Sequence, residues 1–403
     1  MIERRWAGTL PAKAHTQLRD PGGALRHEEC ITRRGFDGPF TILYHEHRPH
    51  TALPTSLAPL GWEEAEQRDA LALIPAEASA PLLRRHFLGA RVRSAGDPLR
   101  ARRPLLFNRD VVVSLLRPSA SLDAYSVNGD ADELYFVHRG GGVLHSVLGE
   151  LEFTAGDYLC IPRGIIHRLE ICAGEQLWLL VECAAPVEVP SQYRNPVGQL
   201  RMDAPYGHRD FRGPRFVGPR DEGLRTLVVQ RDRRLHGFEL AHSPLDVVGW
   251  DGALYPWAFS IHDFQPKVGR VHLPPTIHGT FATRGALVCS FVPRLLDFGA
   301  GAIPCPYPHS SVDVDEVIFY ARGEFGSRRG VGEASLSLHP AGIAHGPHSG
   351  KYESSADEAE RGRRAGRPGA TDELAVMLDC AEPLRVAAHA VAVEDRDYHQ
   401  SFV

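Results

Sequence analysis

The sequence predicts a mainly β chain in which one structural unit occurs twice, and three observations predict it. Short runs rich in Val, Ile, Leu and aromatic residues alternate with Gly, Pro and Asp breaks. Amphipathic helical periodicity is scarce. Two pairs of motifs recur, in the same order, in the two halves of the chain. The runs Val111–Leu116, Leu134–Val137, Leu177–Glu182, Thr226–Gln230, Leu287–Val292, Val317–Tyr320 and Leu374–Leu378 have the length and composition of strands in sandwiches or barrels. A helix is expected near Trp62–Leu73. The stretch from Val187 to Gly223, dense in Pro, Arg, Asp and Gly, reads as a long irregular connection between two β-rich halves. A second breaker-rich stretch, Glu353 to Thr371, reads as a surface loop.

The repeat is the informative feature. Asp132-Glu133-Leu-Tyr-Phe-Val-His-Arg-Gly140 recurs as Asp315-Glu316-Val-Ile-Phe-Tyr-Ala-Arg-Gly323, and Pro162-Arg-Gly164-Ile-Ile-His167 recurs as Pro340-Ala-Gly342-Ile-Ala-His345. Each half thus carries E-x6-G followed by P-x-G-x2-H. The pair resembles the two signature motifs of the cupin superfamily, a double-sheet jelly roll. In physical terms the Glu opens a strand facing the barrel interior, and the Gly lets the chain turn into the next strand. Pro-x-Gly then makes a tight turn that aims the His inward. Neighbouring strands therefore deliver ligands to one point inside the barrel.

Bulk composition narrows the function classes. The 403 residues allow two ordinary domains with sizeable cores, and 43% hydrophobic content is normal for a globular protein. Lys plus Arg number 45 against 50 Asp plus Glu, so a net charge of −5 offers no footprint for nucleic acid or an anionic membrane. Two basic stretches, Arg100–Arg103 and Arg361–Arg367, are interleaved with other residues and read as solvated loops without function. Seven scattered cysteines, never spaced C-x2-C, argue against a disulfide framework or a zinc cage and suit a reducing cytosol. With no secretory h-region and no long apolar run, a cytoplasmic location is expected. The 21 histidines raise the prospect of metal or acid–base chemistry without locating it.

The second unit locates it. His309 lies seven positions before Glu316, where the first histidine of a cupin H-x-H-x4-E motif belongs, and Ser311 stands in the second histidine's place. His309, Glu316 and His345 then form two imidazoles and one carboxylate, the facial set that holds ferrous iron and keeps positions open for substrate and oxygen. Zinc accepts the same ligands, but the open face and redox chemistry favour iron. A lone P-x-G-x2-H match would be a weak signal, since loop histidines are common; here three ligands coincide inside a repeat. By strand alternation Asp315 points away from Glu316, and Asp313 falls off the motif spacing. The first unit supplies the control. Ser126 and Asn128 replace both histidines while Glu133 and His167 persist, so that barrel reads as structural, its His167 and Glu133 bonded to one another.

Fold alone does not choose among cupin chemistries. The longer blocks Gly269-Arg-Val-His272-Leu-Pro-Pro-Thr-Ile-His278, Cys289-Ser-Phe-Val-Pro-Arg294, Pro306-Tyr307-Pro-His309 and Ser337-Leu-His339-Pro-Ala-Gly342-Ile-Ala-His345-Gly-Pro347 resemble the core of homogentisate 1,2-dioxygenases. So do Asp246–Pro256, Asp372–Met377 and Lys13–Gln17. The likeness runs over nearly the whole chain, and in its short form it is similar to the actinobacterial branch of that family. The resemblance implies an Fe(II)-dependent enzyme that opens the ring of homogentisate with O2 to give maleylacetoacetate in tyrosine and phenylalanine catabolism. It implies His309, Glu316 and His345 as iron ligands, His345 also touching substrate, and His272 as the active-site base, a role an imidazole suits. His339 aligns with a histidine of the substrate pocket, although orientation of a ligand or packing suits it equally. Tyr307 is a weaker candidate for substrate contact, with barrel packing the competing reading. His278, His262 and His348 are read as surface or hydrogen-bonded histidines.

One departure stands out. Phe325 occupies the place of a tyrosine that contacts substrate in the family, so the site lacks one hydroxyl and discriminates substrates differently. The insertion-like segment Ser354–Gly369 is expected to reshape the pocket mouth. Three readings follow: a homogentisate dioxygenase, a diverged dioxygenase for another dihydroxyaromatic, and a metal-binding bicupin without turnover. The expected layout is an N-terminal extension over 1–100 packing on the barrels, a first cupin over 101–186 with a degenerate metal site, an irregular connection over 187–245 and an iron-binding catalytic cupin over 246–395. The expected partners are a small aromatic substrate and O2, with no nucleic acid and no membrane. The resemblance further implies a homo-oligomer, trimeric or hexameric.

Overall fold

The structure is a computed structural model that describes residues 3–62, 81–323, 325, 328, 330–367 and 369–403. All seven apolar runs form strands. The strand Asp132–Arg139 lies between Asp157–Ile161 and Leu177–Cys183, and Asp315–Arg322 lies between Ser335–His339 and Leu374–Cys380. Each central strand is nearly all buried, because both its faces are covered and a continuous apolar run is what such a position needs. The repeat is exact at the level of register. Glu133 sits opposite Glu182 as Glu316 sits opposite Asp379, and Ser126 pairs with His167 as His309 pairs with His345.

The motif glycines turn the chain as expected. Gly140 and Gly323 have φ of 86° and 92°, and Gly164 and Gly342 have φ of 86° and 81°, backbone that side-chain-bearing residues rarely adopt. A Cβ on Gly323 would stand 2.6 Å from the carbonyl oxygen of Asp372, so glycine is also a space requirement there. Asp132 and Asp315 point away from the interior glutamates and cap the P-x-G turns: Asp132 accepts from the amide of Arg163 at 3.0 Å, Asp315 from that of Ala341 at 2.8 Å.

Several strands come from farther along the chain than the sequence suggested. The range 187–245 is irregular only in its first part, since Leu227–Arg231 and Arg234–Glu239 form a hairpin that extends the first unit's second sheet. The range 246–395 is likewise not one unit. Val247–Gly252 pairs with Arg5–Gly8 and Phe40–His45, and Trp257–Ser260 joins the first unit's sheet beside Asp157–Ile161. In exchange, Arg85–Phe87 supplies the edge strand of the second unit beside Ser335–His339, and Arg385–Val386 pairs with Arg103–Phe107 of the first. Edge strands find partners wherever an open backbone ladder is available, and local sequence does not say which.

The stretch expected as a loop, Glu353 to Thr371, instead begins within a helix, Lys351–Arg364. Its breakers cluster after Arg364, and Glu360 forms helix-spaced ion pairs with Arg363 and Arg364 at 2.7 and 2.8 Å. The helix expected near Trp62–Leu73 lies, apart from Trp62 itself, outside the described residues. Among the described residues no helix is long and apolar enough to cross a membrane, and all seven cysteines are free thiols.

A basic stretch read as solvated proves partly buried. Arg102, 2% exposed, is enclosed in the first barrel, donating to Glu133 at 2.6 Å, Glu182 at 3.1 Å, Gln230 at 3.0 Å and the Tyr135 hydroxyl at 3.2 Å. Burial opposes the charge on Glu133, but Arg102 outweighs it and holds the carboxyl below its ordinary range. The expected His167–Glu133 bond does not form. The closest atoms are 4.0 Å apart, the His167 Nδ1–H donates to the Ile165 carbonyl at 2.9 Å, and Glu133 is taken by Arg102, Asn128 and Tyr135. A guanidinium therefore supplies the positive charge inside this barrel.

Candidate metal centre

In the second barrel three side chains converge. Glu316 opens its strand facing inward, while His309 and His345 lie on facing segments tied by two backbone hydrogen bonds of 2.8 Å each, His309 N–H to His345 O and the reverse. The donor atoms of His309, Glu316 and His345 lie within 4.8 Å of one another. Nε2 of His309 is 3.8 Å and Nε2 of His345 is 3.6 Å from the Glu316 carboxylate.

The tautomers suit ligation. His309 Nδ1–H donates to the Tyr307 carbonyl at 3.2 Å and His345 Nδ1–H donates to the Ile343 carbonyl at 3.1 Å. A carbonyl can only accept, so in its neutral form each ring presents an unprotonated Nε2 to the centre. His345 Nε2 is buried without a hydrogen-bond partner, an arrangement that a metal ion would satisfy. Burial alone would raise the pKa of Glu316, yet the surrounding imidazoles of His309, His339 and His345 hold it well below the carboxylate range. Glu316 raises the pKa of His309 against burial. Two neutral imidazoles and one carboxylate, with the remaining directions open, form a donor set that fits a divalent first-row metal.

His339, expected in the wall of the substrate pocket, stands elsewhere. It is fully buried behind Glu316, donating from Nδ1 to Glu316 at 2.7 Å and meeting the Tyr398 hydroxyl at Nε2, 3.2 Å away. Burial lowers its pKa to about 4, so the ring is neutral and Nε2 accepts the tyrosine proton. Its ring stacks on that of His345 at 4.7 Å. The structure thus places it to orient a carboxylate. Asp379, opposite Glu316, has its pKa raised to about 6 by burial and then by Glu316.

A cavity of about 410 Å³ opens beside His309 and Glu316, while His345, expected to touch substrate, is not among its lining residues. His272, Phe325, Arg328, His309 and Glu316 line it, together with Lys351, Ser354 and Ser355 from the helix Lys351–Arg364. The expected effect of Ser354–Gly369 on the pocket mouth therefore has a structural counterpart. His272 Nδ1 faces the Asp297 carboxylate at 3.4 Å. Phe325 packs edge-on against Tyr320 with ring centres 4.6 Å apart. Tyr307 is not barrel packing: it is 51% exposed, beside His272 at 5.5 Å between ring centres. His278 is neither surface-exposed nor fully hydrogen-bonded. It is buried against Phe291, its Nδ1 has no partner, and burial lowers its pKa to about 3. His348 is also buried, next to Phe402, while His262 is exposed.

Sequence reasoning missed Tyr398, Asp379, Arg328 and Arg102. For Asp379 a signal existed, because Leu374–Cys380 repeats Leu177–Cys183 and aligns it with Glu182. The other three reach their places only through long-range folding.

A Saccharolobus solfataricus protein, whose name calls it a dioxygenase only provisionally and gives no substrate, is 34% identical over 98% of this chain and 97% of its own. The family profile described as homogentisate 1,2-dioxygenase N-terminal matches residues 107–261. The chain belongs to the same family as that Saccharolobus protein. Homogentisate 1,2-dioxygenases of Legionella pneumophila (strain Lens) and Sinorhizobium medicae are 25% and 27% identical, over 66% and 75% of this chain. This chain spans 64% and 65% of those two relatives' lengths. The family profile covers the barrel that lacks the three donors, so the candidate centre rests on its own geometry. Among solved structures, a cupin 2 conserved barrel domain protein from Leptotrichia buccalis is similar at 9% identity with a TM-score of 0.35, over 77% of this chain and all of its own.

Proposed function

We propose that this family member is a ring-cleaving dioxygenase using ferrous iron held by His309, Glu316 and His345, with homogentisate as the first substrate to test and maleylacetoacetate as its product. The observation that carries the reading is the convergence of the His309 and His345 imidazoles on the Glu316 carboxylate beside a cavity large enough for a small aromatic. The reaction adds both atoms of O2 to the substrate, so no external reductant is required. Ferrous iron, when bound, supplies a Lewis-acidic, redox-active point where phenolate and oxygen meet.

The chain's own residues supply the rest. With its Nδ1–H directed at Asp297, His272 keeps Nε2 free to take a proton from a substrate hydroxyl and later return it. His339, fixed between Tyr398 and Glu316, holds the carboxylate in one orientation. The apolar walls at Phe291, Ile318 and Phe325 keep water from the ring. A second reading, a different dihydroxyaromatic, is favoured by Phe325, which brings no hydroxyl to the cavity wall.

The test loads the purified protein with ferrous iron under anaerobic conditions, adds homogentisate in air, and follows oxygen uptake together with the absorbance of the opened product. The expected result is one O2 per substrate, abolished in His345→Ala and reduced by about 10² to 10⁴ in His272→Ala. Iron bound at one per chain with inert homogentisate would remove this substrate and leave the second reading to a panel of hydroquinones and catechols.

A further inference from the structure

A second group of ligand-type side chains lies away from the cavity, where the chain leaves the strand Arg234–Glu239 and enters Val247–Gly252. The donor atoms of His47, His242 and Asp246 lie within 4.8 Å of one another. Long-range contacts bring them together. The amide of Glu46 donates to the Asp246 carbonyl at 3.1 Å and that of His47 to Asp246 Oδ2 at 2.8 Å, so the residues that follow Phe40–His45 are docked on those that precede Val247–Gly252. His47 Nδ1 then stands 3.0 Å, and His242 Nδ1 3.9 Å, from the same carboxylate oxygen. The two rings stack with centres 4.6 Å apart.

Two features suit this group to a metal ion. The first is the crowding of acceptors around His242. Its Nε2 lies 3.0 Å from the Arg48 carbonyl and its Nδ1 3.1 Å from the Ser243 carbonyl, and a neutral imidazole has one N–H for the two. With Nε2–H on the closer carbonyl, the Nδ1 lone pair faces carbonyl and carboxylate oxygens, a repulsion that a cation bound at Nδ1 relieves. The second is the support of the carboxylate. Asp246 is buried, and His45 Nδ1 meets its Oδ1 at 2.7 Å, which keeps Oδ2 turned toward His47 and His242. A hydrogen-bonded neighbour of this kind fixes a metal-binding carboxylate in one orientation. His47 is exposed, so water completes the coordination.

We propose that His47, His242 and Asp246 form a second metal site, for a divalent first-row cation such as Zn(II), separate from the donor set around Glu316. Two imidazoles, one carboxylate and water make a tetrahedral set that zinc accepts. None of the three residues lines the cavity, so the ion takes no part in ring cleavage. It acts as a fastener. Residues 47 and 246 are 199 positions apart, and an ion held by both, and by His242, ties the N-terminal strands to the hairpin of the first barrel where the chain crosses between them. A cation bound only by the folded chain adds its binding free energy to stability.

The test strips the full chain with a chelator and counts Zn(II) bound per chain by competition with a chelating dye. Wild type binds two, His47→Ala and His242→Ala one each, His345→Ala one, and the double variant His47→Ala/His345→Ala none. His47 is exposed, so its replacement leaves the fold intact. In the His345→Ala background, zinc at about 100-fold over its dissociation constant raises the melting temperature by about 3 °C, and the double variant shows no rise. A second equivalent that survives both His47→Ala and His242→Ala would overturn the site. So would wild type that binds a single Zn(II) and loses it in His345→Ala. A single Zn(II) that persists in His345→Ala and is lost in His47→Ala supports the fastener and counts against the donor set around Glu316.

Discussion

At the residue scale, histidines with similar sequence surroundings have divergent states because burial and neighbours differ. His45 is enclosed beside Asp246 at 2.7 Å and Glu29 at 3.1 Å; burial lowers its pKa, but the two carboxylates outweigh burial and raise it to about 9. A raised folded-state pKa stabilises the fold fully below the unfolded value of about 6.5 and loses that contribution as pH climbs through about 9. Chemical denaturation should therefore show a fall on the order of 3 kcal/mol between pH 6.5 and 9, with most of that slope missing in His45→Gln. Phe325→Tyr restores a hydroxyl to the cavity wall. Its expected effect is a 3- to 10-fold lower KM for a hydroquinone substrate, measured by oxygen uptake, the span of one neutral hydrogen bond. A KM that rises instead would show that the ring, and not the missing hydroxyl, matters at this position.

At the element scale, the two barrels put one motif to different uses. In the first, Arg102 occupies the interior beside Glu133 and Glu182; in the second, Glu316 and two histidines surround a space suited to a metal. Arg102→Met would leave two buried carboxylates close together without a counter-charge. We expect a loss of about 3–5 kcal/mol by denaturant titration, with iron stoichiometry of the folded fraction unchanged. The helix Lys351–Arg364 has no buried residue, so its packing contributes little to stability. Replacing its exposed turns, residues 357–364, by a Gly-Ser linker should shift the melting temperature by only about 2 °C while altering KM, because Glu358 belongs to the cavity wall. A large melting shift with KM unchanged would contradict that division.

At the scale of the whole molecule, segments distant in sequence serve the second barrel. Arg85–Phe87 closes its sheet, and the C-terminal turn Tyr398–Phe402 packs behind the donor set, Tyr398 meeting His339 and Phe402 meeting His348. Deleting residues 395–403 should weaken ferrous binding about 10- to 100-fold, read by competition with a chelating dye, since His339 would lose the partner that fixes its ring. Retained affinity in the truncated chain would place the orientation of Glu316 in the barrel alone. The strands, the duplication and the three candidate ligands were legible in the sequence because each depends on local period and spacing: alternation along a strand, a glycine where φ must be positive, a histidine after a tight turn. The edge-strand exchange, the helix beside the cavity, the burial of Arg102 and Arg328 and the retreat of His339 behind Glu316 were not. Those depend on which distant backbone ladder or charge a segment meets once the chain has folded, and contact at long sequence separation leaves no local period to read.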